Sequence, residues 1–220
     1  MNQIDPPRAE HLPPGTQRSG PSQVYALAWV FYLGLATVGA IWIGVRESGV
    51  TVALFLDPGG WWLDAGLGLA LAALLGLVWW LADTFLPAAR RVDRLLASVL
   101  GPLSASEVLA LALLSGFAEE LFFRGAVQGS LGPVWATVIF ALLHGGPGRD
   151  YRVWTVFAAL AGAGMAAMVV WRSNLLAAIV AHVAFNAAGL WRLARLARTQ
   201  NVDGTGAGGV ALAQDGEGDG

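Results

Sequence analysis

Between Val24 and Leu196 the chain is a succession of apolar runs of helix length, parted by short turns rich in Gly, Pro, Arg, Asp and Asn. A helix needs about 20 predominantly apolar residues to cross the hydrocarbon of a bilayer. Several runs here meet that length, which predicts an all-α, polytopic transmembrane bundle. Composition agrees. Of the 220 residues 13% are charged and 56% hydrophobic, with a mean hydropathy of +0.59. A soluble domain carries about 25% charged residues.

The pattern predicts about six spans plus one interfacial amphipathic helix, together occupying residues 24–198. Residues 1–23 lack the charged, apolar and cleavage regions of a signal peptide, and paired prolines at 6–7 and 13–14 oppose a helix there. They read as a disordered tail. The first span is Val24 to Val45. Val50 to Leu56 is too short to cross and is expected to pack on the bundle, before a turn at Asp57 to Gly60. Trp61 to Leu86 is the second span, with Asp64 and Asp83 near its ends, where both are expected to reach headgroup water. Pro87 to Leu100 sets Arg90, Arg91 and Arg94 against Val92, Leu95, Leu96 and Val99, the two faces of a helix lying on the membrane. Ser104, with Glu107 three residues on, has capping-box spacing. It starts a span from Glu107 to Gly125, followed by a turn over Gly129 to Pro133.

Val134 to His144 is a short run, about 16 Å as helix, stopped by Gly145-Gly146-Pro147-Gly148. Val153 to Trp171 spans again. Its Ala158, Gly162 and Ala166 form a small-residue stripe suited to close helix packing. Leu175 to about Leu196 is the last span. Residues 199–220 are Gly-rich and acidic, and read as a second disordered tail.

All 13 basic residues are arginines. The N-terminal tail, the amphipathic helix, the loop after His144 and the end of the last span carry ten of them; the opposite face has only Arg46, Arg172 and, at most, Arg124. The positive-inside rule therefore predicts both termini in the cytoplasm. No basic patch interleaved with aromatics points to nucleic acid. Cysteine is absent, which excludes disulfides, thiol nucleophiles and Cys-ligated metal. Of three histidines, His11 lies in the tail, leaving His144 and His182.

Chemistry concentrates in three runs: SGFAEELFFRG at Ser115 to Gly125, FALLH at Phe140 to His144, and HVAFN at His182 to Asn186. An ionisable side chain inside a membrane segment is costly and marks function. Glu119 and Glu120 point about 100° apart on a helix, so one faces a reaction site and the other something else. Glu120 and Arg124 have ion-pair spacing, which leaves Glu119 for water; the reverse assignment stays open. His182 and Asn186 share one helix face. Asn is a donor suited to an oxyanion, and His to metal ligation or hydrogen bonding. A carboxylate removed from water without a partner serves as a base near neutral pH. The alternative joint explanation is a polar cluster tying the helices together, or a proton path.

EELFFRG, FALLH and HVAFN in this order resemble the CPBP intramembrane metalloproteases. This is the CAAX-protease and bacteriocin-processing (Abi) family, which includes proteins like lysostaphin resistance protein A and relatives of the type II CAAX prenyl endopeptidase. The resemblance covers about residues 104–190. It implies an endopeptidase acting on membrane-associated or CAAX-like peptides, in a cavity opening toward the cytoplasm. It also implies that Glu119 activates water with His144 helping to position it, and that His182 and Asn186 stabilise the oxyanion. Glu119, His144 and His182 would make a three-ligand zinc site with an open position; the same residues also serve a metal-free route. A non-catalytic scaffold or bacteriocin-immunity protein, or a proton-coupled carrier, are the competing readings.

Overall fold

The computed structural model describes residues 23–47 and 49–214, with side chains described as far as residue 200. The expected N-terminal tail lies outside the described residues, except for Gln23. The described chain is all-helical: α1 (Gln23–Glu47), α2 (Val52–Phe55), α3 (Trp61–Phe85), α4 (Pro87–Leu100), α5 (Ala105–Glu119), a π-helical segment (Glu120–Gln128), α6 (Gly129–Leu143), α7 (Tyr151–Arg172) and α8 (Leu176–Gln214). The last helix continues past residue 199, where the sequence places the start of the second tail. The side chains of that continuation, and residues 215–220, lie outside the description.

Among the described residues five helical stretches are long and apolar enough to cross a membrane: Gln23–Glu47, Trp61–Phe85, Ala105–Leu143, Tyr151–Arg172 and Leu176–Gln200. The third is folded on itself. A straight helix would separate Glu119 from His144, 25 residues on, by about 37 Å. Instead His144 Nε2 lies 3.6 Å from Glu119 Oε2. The reversal is at Gly132, whose φ of 84° breaks the helix just before Pro133. A left-handed residue of this kind is cheap only as glycine, and the following proline withholds an N–H. The sixth expected segment is therefore the short return after Gly132, about half a bilayer long.

The α5 start matches the sequence: Ser104 Oγ accepts from the Glu107 N–H while the Glu107 carboxylate accepts from the Ser104 N–H. Beyond Glu119 the ladder widens to π geometry. Such turns are frequent at functional sites, and residue periodicity does not announce them. The small stripe on α7 meets this segment. Arg124 Nη2 donates to Gly162 O at 3.1 Å, and Gln128 Nε2 to Ala166 O at 3.2 Å. Two donors one turn apart thus meet two carbonyls one turn apart, which the absence of bulky α7 side chains permits.

Two expectations change. Asp64 does not reach headgroup water: it is fully buried, bonded to Arg172 Nε and, at 2.9 Å, to Asn174 Nδ2. The α7–α8 corner turns back over the start of α3, so the carboxylate meets a guanidinium before it meets solvent. Arg124 belongs to neither face, being buried beside Glu120. The helix α4 is amphipathic as expected, yet Ala89, Val92, Asp93 and Ala97 are buried against the bundle. Arg90 Nη1 caps the Asp83 and Thr84 carbonyls of α3, and Arg91 forms a two-pronged pair with Asp150.

These contacts order the ends of the bundle. The start of α1 packs with Leu103 and Ala194. Arg192 of α8 bonds Asp93 of α4 and pairs with Asp83 of α3 at 3.6 Å. The start of α1, α4, the start of α7 and the Arg192 region of α8 thus share one end. Arg46, Asp57, Asp64 and Arg172 share the other.

Candidate active site

The folding-back at Gly132 brings all three chemical runs together. Glu119 comes from the end of α5, His144 from the end of α6, and His182 and Asn186 from one face of α8. These four, with Ser115 and Tyr32, line a cavity of about 650 Å³ that reaches down to Leu96 and Leu100 of α4 and Arg192 of α8. Its remaining wall is largely apolar, including Trp79, Trp80 and Phe185.

The two glutamates divide as their helix geometry requires. Glu120 lies behind the cavity, fully buried, with Oε1 accepting from His182 Nδ1 at 2.7 Å and Oε2 3.3 Å from Arg124 Nε. The Arg124 guanidinium is stacked 4.6 Å over Phe140, a cation–π contact strengthened by the lack of water. Phe140 also lies against His144, their centroids 4.2 Å apart. Glu119 instead faces the cavity, and its Oε2 is buried without a hydrogen-bond partner.

The hydrogen bonds fix the imidazole tautomers. His144 Nδ1 is 2.8 Å from Phe140 O; a carbonyl only accepts, so Nδ1 carries the proton. His182 Nδ1 likewise donates to the Glu120 carboxylate. In each neutral ring Nε2 is then a bare lone pair. Both Nε2 atoms face the same orphaned oxygen, His144 at 3.6 Å and His182 at 3.9 Å from Glu119 Oε2. Three acceptors around one space call for a donor between them, which is a water or a cation.

The donor set suits zinc: two imidazole nitrogens and a carboxylate, with both second ring nitrogens tied to an oxygen, as ligating histidines usually are. The spacing is wider than a finished shell. Tetrahedral zinc with donors near 2.0–2.1 Å holds them about 3.3 Å apart. Among the described residues no three His, Cys, Asp or Glu are already gathered as a metal-binding group. The residues fit the ion chemically and would have to close by about half an ångström.

Asn186 donates from Nδ2 to Ser115 Oγ at 2.9 Å. This leaves one of its two amide hydrogens uncommitted by that bond. Sequence reading missed Ser115 as a site residue, although it stands four positions before Glu119 and so shares its helix face. It also missed Tyr32, whose hydroxyl lies against Glu119; no sequence signal connects α1 to this site. At the far end of the cavity Trp79 Nε1 donates to Asp93 at 3.3 Å. Burial, above all, and then the neighbouring Asp83 push the Asp93 carboxyl up from its ordinary value, while Arg192 pulls it down.

Residues 101–188 match the family model described as type II CAAX prenyl endopeptidase Rce1-like. The chain carries a domain of that family. The matched stretch holds all three runs and ends two residues after Asn186. That match makes peptide-bond hydrolysis the activity to test, on protein substrates in a membrane. No curated protein and no solved structure matches the chain.

Proposed function

We propose that this protein is an intramembrane endopeptidase in which Glu119 activates the attacking water. The observation that carries the reading is the convergence of Glu119 Oε2, His144 Nε2 and His182 Nε2 on one space at the wall of the cavity. A water there donates one proton to Glu119 and the other to an imidazole, which turns its oxygen lone pair toward the cavity. Glu119 takes the proton as the oxygen attacks the peptide carbonyl carbon. It then returns a proton to the leaving amine nitrogen as the C–N bond breaks.

Asn186, held by Ser115, donates to the developing oxyanion. His182 can do so from Nε2 only when both ring nitrogens are protonated, because Glu120 already holds Nδ1–H. Glu120 and Arg124 are positioning residues that fix His182 from behind. Where a divalent ion is bound, Glu119, His144 and His182 would hold it, and it would supply a more acidic water and polarise the carbonyl. The apolar cavity suits a membrane-associated peptide. The arginine-rich end, with both termini, faces the cytoplasm in this reading.

The test is cleavage of a lipid-anchored and unanchored peptide library by purified protein in detergent, with Glu119→Gln and His182→Ala alongside, each with and without chelator. Cleavage by wild type alone supports the reading, and chelator sensitivity adds the metal. Wild-type cellular function retained by a Glu119→Gln protein would replace the enzyme with a scaffold.

A further inference from the structure

Arg46 lies at the end of α1, outside the matched family domain. Its side chain is only a quarter exposed, although it closes a helix that the sequence places at the membrane surface. Its guanidinium crosses to the π segment. Nη2 donates to Gly125 O at 3.0 Å, and Nη1 donates to Ala126 O at 2.8 Å and to Ser130 Oγ at 3.0 Å. Nε is held by Glu47 at 2.9 Å.

Both carbonyls lie in the last turn of the π segment. Where a ladder returns from i→i−5 to tighter bonding, one carbonyl is passed over, and Gly125 and Ala126 sit at that return. The tighter turn is visible at Gly129, whose N–H reaches Ala126 O and Val127 O. Long π segments are rare; relaxation of this one to plain α-helix would rotate Glu119 and Glu120 relative to Arg124.

The contact is built from both sides. A Cβ on Gly129 would lie 2.3–2.5 Å from the Arg46 guanidinium, and one on Gly125 would lie 2.7 Å from Ile43 Cδ1. Glycine at these positions lets α1 seat directly on the π backbone.

We infer that Arg46 is a positioning residue for the hydrolytic site: it locks the π turn that aims Glu119 at the cavity and Glu120 at His182 and Arg124. This rests on the proposed endopeptidase reading. The measurement is therefore paired: hydrogen exchange over residues 116–131 in detergent, and kcat and KM on a cleaved peptide.

The variants are Arg46→Ala, Arg46→Lys and Gly129→Ala. In Gly129→Ala the new methyl expels a flexible guanidinium tip at little backbone cost, and alanine otherwise favours a helix. Expected in Arg46→Ala and Gly129→Ala alike are faster exchange confined to this segment and a kcat lower by about 10²-fold, the scale of an ångström misplacement, with KM near wild type. Arg46→Lys, and added guanidinium ion with Arg46→Ala, should recover part of kcat. Unchanged exchange in both disrupted variants overturns the lock. Faster exchange with wild-type kcat overturns the positioning role. Faster exchange in a protein whose wild type and Glu119→Gln forms are equally inactive supports the lock and counts against the endopeptidase reading instead.

Discussion

Replacing Glu120 by Gln should unfold the protein more readily, whereas the same change at Glu119 should not. Glu120 and Arg124 have fully buried side chains. Gln keeps the shape of the side chain and an oxygen to accept from His182 Nδ1, so the substitution removes little but the charge. Arg124 is then a cation in an apolar interior with Gly162 O and an aromatic face as its remaining partners. Breaking a buried pair by removing one member costs about 3–5 kcal/mol. For a chain of this size each kcal/mol moves Tm by about 2–4 °C, which gives a fall of roughly 6–20 °C. At Glu119 the logic reverses. The Tyr32 hydroxyl lies against it and, among the described residues, no arginine forms a salt bridge with it, so the amide leaves no buried guanidinium without its partner, and Tm should hold while cleavage is lost. The assay is intrinsic fluorescence of the ten tryptophans during heating in detergent, with peptide cleavage measured on the same samples. A Glu120→Gln protein that melts with wild type, beside a destabilised Glu119→Gln, would refute the division of labour between the two carboxylates.

Asn186→Ala should lower kcat by about 10²–10³-fold, the usual loss for one oxyanion donor, and Ser115→Ala should lower it less, both read by steady-state kinetics. Asp64→Ala should destabilise the fold by about 3 kcal/mol, as loss of a buried ion-pair partner does, without changing kcat per folded molecule, because Asp64, Arg172 and Asn174 are not among the residues that line the cavity. Asp93 binds its proton more tightly folded than unfolded, so the stability it contributes is present at low pH and declines as pH rises through its raised value. Wild-type Tm minus Asp93→Asn Tm should therefore fall as pH rises above the ordinary carboxylate range. Because the chain has no cysteine, Arg149→Cys and Gly59→Cys report orientation cleanly. A membrane-impermeant thiol reagent should label Gly59→Cys in intact cells and Arg149→Cys only after permeabilisation.

What could be read from the sequence followed the range of helix geometry. Glu120 with Arg124, and His182 with Asn186, are separated by one turn, so their shared faces were legible before any fold. So were the capping box at Ser104 and the arrest of the short helix before His144. The fold-back at Gly132 was legible as a Gly-Pro break, though its consequence, Glu119 against His144, is tertiary. Partners across helices were not legible. Asp64 looked like a headgroup residue because span position sets only depth, while the α7–α8 corner decides whether Arg172 reaches it. Tyr32 and Arg46 read as ordinary residues of a first span, since their roles depend on the register of α1 against α5 and the π segment. The π turn itself left no distinct trace, because its polar residues Glu120, Arg124 and Gln128 recur every four positions, as they would in a plain α-helix.

The most direct test of the central claim is hydrolysis of one cleaved peptide in water enriched in oxygen-18, with the products weighed by mass spectrometry. Wild type should place a single labelled oxygen in the new C-terminal carboxyl group, and Glu119→Gln, folded and no less heat-stable, should leave the peptide whole. Labelled product appearing at the wild-type rate from the Glu119→Gln protein would contradict the assignment of Glu119 as the residue that activates water.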